Sequence, residues 1–289
     1  MTPRRGDKER DLRVSASQRP GHPLITLLTD FGLADYFVGA LKGVILSINP
    51  LVSIVDLTHE IPPQDVAAGA FALMASYQSF PSETVHVAVV DPGVGSDRRP
   101  ILVSAGNHFF VGPDNGIFSY IYEKETGHKT FHLTNEKYFR HPVGATFHGR
   151  DIFAPVAAAL SAGTKPAEFG PEISDEKRLP SLNSVKQTRG KVKGRIVHID
   201  RFGNCITNIT RSVLPLEMEN GARLQINGET IRSFRRFFSD SRDESGGSDK
   251  LFGVWGSAGF LEIAAMNRSA AKMLRAKTGQ NVILKVRGE

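Results

Sequence analysis

The chain has 289 residues, 40% of them hydrophobic and 23% charged, as befits a soluble globular protein long enough for two domains. Its single cysteine, Cys205, excludes an intramolecular disulfide and any cysteine-rich zinc site, and no apolar run approaches the roughly 18 residues of a membrane span. Half of the net charge of +6 lies at the start, where residues 1–21 carry six basic side chains (Arg4, Arg5, Lys8, Arg10, Arg13, Arg19) against three acidic ones. With almost no apolar content, that tail is expected to be disordered. Elsewhere the charges are mixed, without the aromatic-interleaved basic stripe of single-strand binders, so nucleic acid is not an expected partner. Neither a secretory signal nor a membrane anchor is visible, and a cytoplasmic location is expected.

Regular structure is predicted from Leu24. Leu24–Leu28 reads as a strand ending in Thr29-Asp30-Phe31-Gly32, and apolar residues at helical spacing from Tyr36 to Ile48 stop at Asn49-Pro50. Ser53–Leu57 is a second strand, closed by the rigid Ile61-Pro62-Pro63 turn, after which Asp65 caps a helix running to Tyr77. Val85–Val90, a β-branched apolar run, predicts a buried strand. Ile101–Ala105 and His108–Val111 pair around Gly106-Asn107, Ile117–Tyr122 begins a helix and Lys129–Leu133 is a further strand. Thr146-Phe147-His148-Gly149-Arg150-Asp151 leads into an alanine-rich helix, Ile152–Ala162. This alternation predicts an α/β domain over residues 22–171, its sheet covered by helices on both faces.

The polar stretch 172–194 reads as a linker. Beyond it, over 195–289, the pattern is strand-rich: Arg195–Ile199, Cys205–Ile209, Arg223–Ile226, Leu251–Trp255, Leu261–Ala265 and Val282–Val286. Glycine turns between them predict a smaller β-barrel or sandwich domain. Phe238–Lys250 is expected to be a mobile hairpin loop.

Asp91-Pro92-Gly93-Val94-Gly95 follows the buried strand, and a residue before proline is held extended, which places Asp91 at the strand's carboxyl end. An acid, a glycine loop and Arg98 seven residues on suit a ligand site there; a tight turn with a solvated ion pair is the alternative. The third glycine of a dinucleotide loop is missing, and neither GxxxxGK[ST] nor GxSxG occurs. The spacing of Asp30, Asp35, Asp56, His59, Asp91, His148 and Asp151 matches no metal-ligand motif, so no metal is expected. Lone histidines on apolar strands, His86 and His198, read as packed side chains, and His59 as a hydrogen-bonder of its turn.

Longer matches are more specific. TDFG at Thr29–Gly32, KGVI at Lys42–Ile45, VDLTHEIPP at Val55–Pro63, VVDPGVGSDRR at Val89–Arg99, VGPDNG at Val111–Gly116 and TFHGRDIFAP at Thr146–Pro155 resemble the S-adenosylmethionine hydroxide adenosyltransferases, relatives of the fluorinase and chlorinase. DRFGNCITNI at Asp200–Ile209 and GSAGFLEIA at Gly256–Ala264 extend the resemblance through the second half. It implies an enzyme that cleaves S-adenosyl-L-methionine to adenosine and L-methionine, with water or hydroxide attacking the ribose 5′ carbon and no cofactor. The family's catalytic set maps to Asp91, Arg98 and His148, a set that is not complete in its halogenating members. Substrate binding maps to Asp30 at the ribose diol, Asp200 at the amino group, Asn204 at the adenine edge and Ser257 at the carboxylate. Glu262 and the backbone near Ala265 line the rest of the pocket. Family members are trimers whose sites form between chains, which implies a homotrimer here. A halogenase, a non-catalytic adenosine or S-adenosylmethionine binder and a metal-dependent hydrolase are the competing readings.

Overall fold

A computed structural model describes residues 22–183, 186–188, 190–212, 221–238 and 251–285. The basic tail and nearly all of the loop expected at Phe238–Lys250 lie outside them.

The first sheet has seven strands: β1 (Leu24–Thr29), β2 (Ser53–Thr58), β3 (Val85–Val89), β4 (Pro100–Ala105), β5 (His108–Pro113), β6 (Lys129–His132) and β7 (Glu172–Ile173). Their order is β2-β1-β3-β5-β4-β6-β7. The first four neighbours run parallel, and β4, β6 and β7 add on antiparallel. Every residue of β3 is buried, as a central strand covered on both faces demands. Val87 and Val89 face α1 (Phe37–Ile48) and α4 (Ala154–Ser161), whereas Ala88 and Val90 face α2 (Val66–Ser76) and α3 (Ser119–Lys124). Asp65 caps α2 as expected, its Oδ1 accepting from Ala68 N at 2.9 Å.

Nine strands make a curled second sheet: β8 (Lys186–Thr188), β9 (Lys191–Ile199), β10 (Cys205–Thr210), β11 (Arg223–Ile226), β12 (Glu229–Ile231), β13 (Phe234–Arg235), β14 (Leu251–Trp255), β15 (Phe260–Ala265) and β16 (Asn281–Lys285). The order is β12-β11-β16-β9-β10-β15-β14-β13, with β8 on β9. Val192, Ile196, Leu224, Leu261, Ile263 and Leu284 fill its core with α5 (Ala270–Leu274). The molecule is therefore mixed α/β, with helices on both faces of the first sheet and a smaller β-rich unit, the fold class expected.

Several element bounds differ from expectation. β9 begins at Lys191 rather than Arg195, because Lys191 and Lys193 alternate with buried Val192 and Gly194, so the charges hide a period-2 strand. The helix expected over Ile152–Ala162 opens earlier, as a π turn over Gly149–Phe153, before α4 takes over. The helix expected from Ile117 starts at Ser119.

Stretch 174–183 lies against the first sheet. Arg99 Nε and Nη2 donate to Asp114 Oδ2 at 2.9 and 2.7 Å, Arg99 Nη1 donates to Asp175 Oδ1 at 2.8 Å, and Lys177 N donates to Asp114 Oδ1 at 2.8 Å.

Candidate active site

β1 and β3 are parallel neighbours with Thr29 opposite Val89, so Asp30 and Asp91 leave the sheet side by side at its carboxyl edge. Open α/β sheets bind ligands at that edge. Gly95 then brings a third element in. It has φ +77°, and a Cβ there would overlap the carbonyl oxygen of Ala145, so only glycine lets the 91–98 loop lie against the 144–148 segment. Asp151, fully buried, holds that segment by accepting from Gly144 N at 2.9 Å. His148 stands directly before the π turn, a helical irregularity common at functional sites.

Together these elements enclose a cavity of about 300 Å³ lined by Asp30, Phe31, Gln64, Asp91, Val94 and His148, among others. Arg98 is not on its wall. The guanidinium lies behind Asp91 and His148, 8% exposed, with Nε 3.0 and 2.9 Å from the two Asp91 oxygens. Its Nη2 donates both to Asp91 Oδ2 and, at 2.8 Å, to His148 Nδ1, while Nη1 is buried without a partner among the described residues. Phe153 backs the group, its ring centroid 5.2 Å from the guanidinium carbon. Burial, and then the Arg98 charge, pull His148 below its ordinary pKa against weaker opposing effects of Asp91 and Asp151, which favours a neutral ring.

Asp30 is fixed from two sides. Its Oδ2 accepts from Gln64 N at 2.8 Å, in a turn where Gln64 itself has φ +65°. Behind it, Thr29 Oγ1 accepts from Phe31 N at 3.2 Å and lies 2.8 Å from His59 Nδ1. His59, 3% exposed, places Nε2 3.1 Å from Asp56 Oδ1 in a poorly aligned contact, and Lys42 Nζ donates to Asp56 Oδ2 at 2.6 Å. Thr29, Gln64 and this supporting chain escaped the sequence reading. The clue available was VDLTHEIPP, whose histidine follows a strand and whose prolines fix the turn that carries Gln64.

The remaining candidates gather on the second sheet. Asp200 accepts from Asn204 N and from Asn204 Nδ2, both at 2.8 Å. Glu262 is 8% exposed, and burial, then the Asp200 charge, push its carboxyl up to about 7. Gly256 lies so close that a Cβ would overlap Glu262 Oε1. Ser257 is exposed on the β14–β15 turn, and Ala265 is buried at the end of β15. None of these five lines the cavity. A larger cavity, about 630 Å³, lies at the opposite edge of the first sheet around Ser53, Thr84 and Phe109 and gathers no paired carboxylates. Among the described residues no three His, Cys, Asp or Glu side chains are grouped to hold a metal ion, and no helix is long and apolar enough to cross a membrane.

The geometry is that of an α/β protein whose acidic and imidazole groups converge on a cavity beyond the carboxyl ends of the parallel strands. Residues 25–170 match the family model for the SAM hydroxide adenosyltransferase N-terminal domain, and residues 194–283 match that for the C-terminal domain. The chain belongs to the SAM hydroxide adenosyltransferase family. It is 36% identical over 269 residues to the (R)-S-adenosyl-L-methionine hydrolase of Thermus thermophilus, covering 90% of this chain and 98% of the relative. The fluorinase of Nocardia brasiliensis is more distant, 25% identical over 291 residues, covering 91% of this chain and 97% of that protein. Among solved structures, an uncharacterized conserved protein from Thermotoga maritima superposes with a TM-score of 0.83 at 33% identity, covering 90% of this chain and 99% of that one.

Proposed function

We propose that the protein hydrolyses S-adenosyl-L-methionine to adenosine and L-methionine by in-line attack of water or hydroxide on the ribose 5′ carbon. The observation that carries this reading is the cavity wall itself, where Asp91 and His148 are held by one arginine in a chain of this family. The sulfonium leaves as a neutral thioether and needs no acid, so the demand falls on the nucleophile. Charge is lost as hydroxide and sulfonium meet, so a cavity with little water assists the step. Asp30 offers two acceptor oxygens to the ribose hydroxyls. Asp200 pairs the substrate's amino group, Asn204 reads the adenine edge, Ser257 meets the carboxylate, and Glu262 and Ala265 complete the wall.

Because all the cavity's lining comes from residues 30–149, we assign the binding residues of the second sheet to a neighbouring subunit of a homotrimer. Mixing Asp91→Asn with Asn204→Ala protein under conditions of subunit exchange then restores activity. A mixture as inactive as its parts would place both halves in one chain. The proposal includes no metal or cofactor and a cytoplasmic location.

The decisive assay supplies the R and S sulfonium forms of the substrate separately, with and without EDTA and chloride, and identifies products. The relatives' name specifies the R form, so adenosine and methionine from that form, unaffected by EDTA, are expected. 5′-Chloro-5′-deoxyadenosine as the main product would favour the halogenase reading that the fluorinase relatives keep open, and binding without turnover would favour a non-catalytic binder.

A further inference from the structure

The donors and acceptors around Arg98 separate two roles that residue type leaves interchangeable. Arginine presents five N–H donors and accepts nothing. Its Nη2 lies 2.8 Å from His148 Nδ1, so that nitrogen turns its lone pair to Arg98 and the ring's single proton sits on Nε2. A second proton on Nδ1 would point at the guanidinium. Nε2 has no protein partner among the described residues, and the ring forms part of the cavity wall. Asp91 also lines the cavity, and an ionised carboxylate only accepts.

Building on the hydrolase reading, we propose that His148 is a hydrogen-bond donor to the attacking oxygen rather than its base, and that Asp91 accepts the proton. Arg98 is a positioning residue: it fixes the tautomer of one group and the orientation of the other. His148 Nε2–H engages one lone pair of the water and leaves the second directed at the 5′ carbon. The C5′–O bond forms as the C5′–S pair departs with sulfur as neutral methionine, and a water proton passes to an Asp91 oxygen, which later releases it to solvent. Water grows acidic as its oxygen bonds carbon, so a carboxylate held by an arginine is base enough. The same Nε2–H stabilises the nucleophile if it arrives as hydroxide.

The test uses His148→Gln, whose amide nitrogen can replace the Nε2–H donor but has no basicity. Single-turnover cleavage should fall by no more than about tenfold, because the hydrogen bond is kept. His148→Ala should lose about 10²–10³-fold, the usual cost of deleting one preorganised donor. In the ¹⁵N spectrum of histidine-labelled full-length protein, His148 should show a protonated Nε2 and a bare Nδ1 near neutral pH, and Arg98→Met should release the second tautomer. A wild-type spectrum with the proton on Nδ1 would overturn the proposal. So would a His148→Gln protein that binds substrate normally yet is as slow as His148→Ala. Failure of the wild type to cleave S-adenosylmethionine would defeat the hydrolase reading alone, and the spectrum would still decide the tautomer.

Discussion

The Phe71 ring stacks on the His198 imidazole with centroids 5.0 Å apart and planes 18° apart, joining α2 on the first sheet to β9 of the second. The Phe260 ring is tilted against Phe71 with centroids 6.0 Å apart, and Val197 and Ile206 share the same cluster. Phe71→Ala should therefore loosen the contact between the two sheets as well as open a cavity. A loss of about 3–5 kcal/mol is usual for a buried phenylalanine. Urea denaturation checks it, and two separated transitions would show that the sheets no longer unfold together.

Gly95→Ala should slow the chemical step as well as weaken folding. Positive φ costs about 1–3 kcal/mol for a residue with a side chain, and the overlap with Ala145 pushes the Asp91 loop away from His148. A displacement of about 1 Å at a catalytic group commonly costs about 10²-fold. Gly93→Ala is the control: its Cβ would meet Ser96 Oγ at 3.3 Å and Arg98 Cγ at 3.5 Å, contacts a side chain can yield to. Single-turnover rates of the two variants should differ accordingly.

A buried histidine pair should make the fold acid-sensitive. His86 Nδ1 lies 2.7 Å from Thr26 Oγ1 and its Nε2 3.2 Å from His108 Nδ1. Burial, then the neighbouring His108, lower His86 from its ordinary 6.5 to about 3. Between those values the unfolded chain binds the proton and the folded chain does not, so stability is full above the unfolded value and falls as pH drops through the window. At about 1.4 kcal/mol per pKa unit, the loss is on the order of a few kcal/mol at the acid end. His86→Phe should flatten the dependence of the urea midpoint on pH between about 7 and 4; an unchanged slope would assign the sensitivity elsewhere.

Asp30→Ala should act first on affinity. On the proposed substrate reading it removes two ribose hydrogen bonds made before reaction, each worth about 1 kcal/mol or more, and Gln64 N loses its acceptor. Equilibrium binding should weaken by about 10–10²-fold while the single-turnover rate at saturation falls less. The Michaelis constant alone would mix the two effects.

Strand β3 and the Asp91 loop were legible in the sequence because a run buried on both faces has to be apolar and a proline has to end it. Asp30 was legible as an acid at the end of the apolar run of β1, but its role only through the TDFG resemblance. Arg98 could be named but not placed: seven residues allow contact with Asp91, yet nothing in the spacing says whether the guanidinium faces the cavity or supports its wall. His59 looked like a turn residue because its partners, Thr29 and Asp56, lie on two different strands. β12 and β13, with three and two residues, carry too short a pattern to read, and the lysines of β9 concealed its alternation.

Arg98 and Arg99 are chemically identical neighbours with unrelated partners, the first bound to Asp91 and His148, the second to Asp114 and Asp175. Their assignments are set by position along the chain and not by residue type, so the length of the 92–97 loop works as an address. Deleting one residue from it would draw Arg99 toward the seat of Arg98, leaving Asp114, 1% exposed, with no cation and the 174–183 stretch without its clasp. The loop should tolerate many changes of letter and hardly any change of count.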